Sequence, residues 1–125
     1  GLVETFTGTS GWRSANRISI ESNNGEQFYR FVTKNASGTN QVQHTTHTIV
    51  DDQYDTVGFR CDRAGKVEFF VNRVLAATVT ANINTDDMQM FAASVSASAS
   101  GQRVTTLDYI STTQNRNASE LIGKI

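Results

Sequence analysis

The sequence predicts an all-β domain, an antiparallel β-sandwich, on three observations. Short runs with apolar or β-branched residues at alternate positions recur about every ten residues, with clusters of Gly, Asn and Ser between them and no helical stretch. The composition is 38% hydrophobic and 18% charged, and the balance is filled by Thr, Ser and Asn, residues of polar strand faces and turns. The middle of the chain also reads as consecutive hairpins whose inward positions can be named.

Taken in order, weaker strands are expected at 2–7, 17–21, 27–33 and 42–50, separated by the Gly and Asn clusters at 8–11, 22–25 and 35–40. The segments 54–62 and 66–80 are clearer. In the first, Val57, Phe59 and Cys61 alternate with Gly58 and Arg60, the period of a strand with one buried face. In the second, Val67, Phe69 and Val71 alternate with Glu68 and Asn72. Asp62-Arg63-Ala64-Gly65 joins them, with an Asp able to bond its own backbone and a Gly free to take positive φ. After Asn72-Arg73 the chain reverses into 74–80, so three antiparallel strands follow one another as a meander. Further strands are expected at 88–96 and 104–112, joined by the small residues 97–101. From Asn117, a helix-capping residue type precedes Leu121, Ile122 and Ile125, which fits a short terminal helix or an extended arm. The sandwich is therefore expected over 1–112 and the arm over 113–125.

At 125 residues the chain is the size of one domain. A net charge of -1, with neither sign gathered into a long run, argues against nucleic acid as a partner. No apolar stretch approaches the roughly 20 residues that a membrane-crossing helix needs, so no membrane insertion is expected. Gly1 in place of Met implies that something upstream was removed or not included. Cys61, the single cysteine, cannot form an internal disulfide, and its phase in the alternation makes it a small core residue. Proline is absent, which leaves charges, bulges or a neighbouring subunit to protect the sheet edges.

Val57-Gly-Phe-Arg-Cys61, the Ala64-Gly65 turn, Val67-Glu-Phe-Phe-Val-Asn72, Val74-Leu-Ala-Ala-Thr-Val79, Asn82-Ile-Asn-Thr85 and Leu107-Asp-Tyr-Ile110 follow one another in a fixed order. Together they resemble the concanavalin A-like lectin and laminin G-like jelly roll, in the version found in bacteriophage tail fibres, tailspikes and capsid decorations. The resemblance covers 55–110, roughly half the chain. It implies a jelly-roll fold and a noncatalytic virion module, assembled as a homotrimer with other virion proteins and attached to a host-surface glycan. A capsid decoration protein is the alternative. The family's usual Asn-Gly turn is Asn72-Arg73 here. A tight type I′ turn would force Arg73 to positive φ, so a different connection is expected. Asn84 stands where the family often has Pro.

Candidate chemistry can be weighed residue by residue. Glycosidases on this fold set two carboxylates on one strand about 5 Å apart for retention. The adjacent pairs Asp51-Asp52 and Asp86-Asp87 would face opposite ways on a strand and sit beside turns, so no enzyme is expected and a glycan-cleaving activity ranks last. His44 and His47 are three apart, which on a strand sends them to opposite faces and leaves a metal site only to symmetry between subunits. For calcium, common in lectins of this fold, Asp51, Asp52 and Asp55 are the candidate cluster. Sugar binding needs an aromatic ring and a few polar groups; the candidates are Trp12, Arg13, Tyr29, Tyr54 and Phe70, with Phe70 facing away from Phe69. A core or interface role competes with the sugar role for the rings.

Overall fold

The structure, a computed structural model, describes residues 2–3, 15–23, 25–62, 65–85, 89–90 and 110–111. The chain divides into two compact units, Gly1–Val95 and Ser96–Ile125. The first carries β1 (Leu2–Val3), β2 (Arg17–Glu21), β3 (Tyr29–Asn35), β4 (Gly38–His44), β5 (Val57–Cys61), β6 (Val67–Val71), β7 (Val74–Val79) and β8 (Gln89–Met90). The fold is all-β, with no helix among the described residues. All pairings are antiparallel, in one sheet of order β4-β3-β2-β1-β8 and a second of order β5-β6-β7. The expected strands at 2–7, 88–96 and 104–112 and the arm at 113–125 lie wholly or largely outside the described residues.

Alternation creates the shared core. Ile18 and Ile20 of β2 stand opposite Thr33 and Phe31 of β3, so all four project from one face. Val67, Phe69 and Val71 alternate inward from β6. Ile18 and Phe31 of the first sheet and Val67, Phe69, Val71 and Val79 of the second form one buried cluster. The Phe31 and Phe69 rings stack with centroids 4.8 Å apart. Full burial of each such ring contributes about 2–3 kcal/mol. Thr33, also buried, donates its hydroxyl to the Ala81 carbonyl at 2.8 Å, so no orphaned polar group results. On the opposite face of β2, Arg17 and Ser19 are buried and both donate to the Glu21 carboxylate.

Three expectations need correction. The strand expected at 42–50 is Gly38–His44, and the one expected at 27–33 is Tyr29–Asn35. Between them, Ala36-Ser37 makes a two-residue hairpin in which Asn35 Oδ1 accepts the Ser37 N–H at 2.9 Å and Gly38 takes φ +156°. β4 alternates faithfully, but among Gly38, Asn40, Val42 and His44 on its sheltered face only Val42 is aliphatic. The pattern is therefore invisible to hydrophobic periodicity.

Cys61 is not a core residue. Val57, Phe59 and Cys61 stand opposite Val71, Phe69 and Val67 and so face as expected, but β5 ends the three-stranded sheet. Val57 is 41% exposed, Cys61 is exposed, and only Phe59 packs against the core. What burial the thiol has, with the Asp62 carboxylate beside it, pushes its pKa up.

The third correction concerns Asn72-Arg73. Both residues have positive φ, +50° and +68°, between the paired Val71 and Val74, so the connection is the tight type I′ turn after all. Its twist matches that of the flanking strands, and this compensates for the strain at Arg73. Beyond the turn the register shifts, and Ala76 is the extra residue of a β-bulge in β7. The other turn is as expected: Gly65 takes φ +77° and Asp62 Oδ1 accepts the Lys66 N–H at 3.0 Å.

Candidate functional site

β4 ends at His44 because nothing in Thr45-Thr46-His47 offers the next inward apolar residue, and the chain turns instead. From there 45–56 carries the backbone across to the second sheet, and β4 comes close to β7. An open groove of about 480 Å³ lies between the end of β4 and the hairpin of β6 and β7. One wall is polar, made by Gln43 and the run from His44 to His47. Facing it, Val74, Leu75 and Ala76 form an apolar wall, and Asn72 sits at the end of the hairpin. Val74 is 69% and Leu75 53% exposed, so both present apolar surface to solvent.

Asp55 organises the polar side. Its Oδ2 accepts from the Tyr29 hydroxyl at 2.9 Å and meets His47 Nε2 at 2.7 Å, while Oδ1 accepts from Asn72 Nδ2 at 2.9 Å. Burial works against the carboxylate charge, but the hydrogen bonds from Asn72, His47 and Tyr29 outweigh it and hold the carboxyl below its usual range. Burial, reinforced by Asp55, pushes the Tyr29 phenol above its ordinary pKa, so it serves as a donor. Asn72 is used fully: its backbone N–H donates to the Thr56 carbonyl at 2.7 Å, and its Oδ1 accepts the Thr56 N–H at 2.9 Å.

The imidazoles rest on a ladder of rings. Tyr29 stacks on His47 with centroids 6.0 Å apart, His47 on His44 at 6.4 Å, and His44 leans on Phe31 at 5.6 Å. The series continues through Phe69 to Phe59, from groove to core. His44 and His47 are therefore neighbours, where a continuous strand would have sent them to opposite faces. The turn at Thr45-Thr46 makes the difference.

Of the residues singled out from the sequence, Tyr29 and Asp55 are brought together, in direct contact. Asp51 and Asp52 are exposed and do not join Asp55. Among the described residues no three His, Cys, Asp or Glu side chains converge as metal ligands would, so the calcium cluster is not assembled. Tyr54 is 70% exposed. Phe70 is half-buried and faces away from Phe69 as expected, with the Arg60 guanidinium 5.8 Å from its ring centre and Gly58 opposite it. Trp12 and Arg13 lie outside the described residues. Sequence reasoning missed Asn72 as a ligand of Asp55 and the pairing of the two histidines. The readable signal was the polarity of residues 43–48, which ends the inward alternation at Val42.

Comparison with family models, with curated proteins and with solved structures finds no match.

Proposed function

We propose that this chain is a noncatalytic glycan-attachment module on a jelly-roll sandwich, of the kind that phage tail fibres carry on the virion. The observation that supports this best is the groove with one apolar and one hydroxyl-, amide- and imidazole-bearing wall. A pyranose has the matching form, since its C–H faces pack on apolar side chains while its hydroxyls both donate and accept. Thr45, Thr46 and Gln43 supply such groups without a fixed charge. The His47–Asp55 pair here serves binding, because the carboxylate is occupied by three donors and orients the ring. The two-sheet core agrees with a jelly roll, and the motif order over 55–110 supports the virion assignment.

The test is binding of the full chain to immobilised bacterial surface polysaccharides and a glycan array, beside a Leu75→Lys variant. Retention by wild type and release by the variant is the expected result. Absence of binding to every glycan, together with addition to bare capsids, would support the decoration role instead. That second reading draws on the uncharged, exposed Val74 and Leu75 of β7, which suit a contact with another subunit.

A further inference from the structure

We infer that the sugar taken by this groove is uncharged, an inference that rests on the glycan-binding reading above. Among the described residues, none that lines the groove is Asp, Glu, Lys or Arg. Arg73 lies on the turn between Asn72 and Val74, yet it is not part of the lining. A uronate, sulfate or phosphate would therefore find no guanidinium or ammonium among these residues to offset the hydration it gives up. Asp55, behind His47, has the same sign as an anionic sugar, and Arg30, opposite Gln43 in the ladder, is already engaged by Glu26.

Hydroxyls fare differently. With Asp55 accepting at Nε2, neutral His47 carries its proton there and keeps Nδ1 as an acceptor. Thr45 and Thr46 can each donate and accept, and the Gln43 amide does both from separate atoms. The polar wall thus offers both halves of the hydrogen bonds that neutral hydroxyls make. The apolar wall of Val74, Leu75 and Ala76 completes the groove.

The experiment compares methyl glucoside, galactoside and mannoside with the corresponding methyl uronides, by amide-shift NMR titration of the full chain. It is run at one fixed pH throughout. At least one neutral glycoside should shift the amides of 43–47 and 74–76, with its uronide about tenfold or more weaker. Gln43→Lys, a change at an exposed position, should narrow that ratio by supplying the missing cation. A uronide that binds as tightly as its neutral partner, or a ratio unmoved by Gln43→Lys, overturns the inference and leaves glycan binding standing. No groove shift with either series removes the glycan-binding reading and the inference together.

Discussion

Asn72 joins the hairpin turn to Asp55, and its replacement by Ala measures what that junction contributes. Three losses follow from the geometry. The bond from Nδ2 to the ionised Asp55, at 2.9 Å and partly solvated, is worth roughly 1.5 kcal/mol. The bond from the Thr56 N–H to Oδ1, also 2.9 Å, adds roughly 1 kcal/mol. At φ +50° an Ala side chain adds about 1 kcal/mol of strain that Asn tolerates better. Asn72→Ala is therefore expected to lose about 3.5 kcal/mol, a large part of the ~5–15 kcal/mol typical of a domain. Asn72→Gly removes the same two bonds without the strain and should lose about 2.5 kcal/mol. Arg73→Gly, at φ +68° with no bond to lose in the turn, should gain about 0.5–1 kcal/mol, the relief of strain less the added freedom of the unfolded chain. Urea unfolding followed by far-ultraviolet circular dichroism reads all three. The reasoning is refuted if Asn72→Ala loses less than about 0.5 kcal/mol, or if Arg73→Gly destabilises.

Asp55, its carboxyl held below the ordinary range, contributes stability above about pH 4 that is lost as pH falls through its lower folded value. Asp55→Asn should flatten that part of the acid-unfolding curve, and an unchanged slope would count against the three-donor cluster; the similarly depressed Glu26 and Glu68 should keep theirs. Phe69→Ala removes a fully buried ring between Phe31 and Phe59 and should cost about 3–5 kcal/mol, read as a lowered urea midpoint. Leu75→Lys, at a 53% exposed position, should change stability by less than about 0.5 kcal/mol while weakening glycan retention. Adding calcium or chelating it should leave the thermal midpoint unmoved, because Asp51 and Asp52 do not converge with Asp55; a clear rise with calcium would refute this.

How much of this was legible follows from where the physics is local. β6 and the turn before it could be read because Val67, Phe69 and Val71 mark one face, while Asp62 and Gly65 satisfy that turn within a few residues; the geometry of the Asn72-Arg73 turn could not, because Arg73 is a residue type that seldom takes positive φ. β2 fell at 17–21 as expected, since Ile18 and Ile20 face the core between polar residues. β4 was displaced because a sheltered Asn40 and His44 carry no hydrophobic signal. Cys61 shows the converse limit: alternation gives the direction of a side chain, but its cover depends on how far the opposite sheet extends. The Tyr29–Asp55–Asn72 contacts join residues 26 and 17 positions apart, and nothing periodic announces such a meeting. Either residue could be named a candidate alone; their partnership could not.

The ring series has a consequence for how recognition in this domain can change. His47 and His44 are braced through Phe31 against the hydrophobic interior, so altering that side disturbs packing and specificity at once. Val74 and Leu75 stand largely in solvent and carry no such burden. One jaw of the cleft is thus anchored and the other interchangeable, and variants with new ligand preferences should carry their substitutions on the hairpin side.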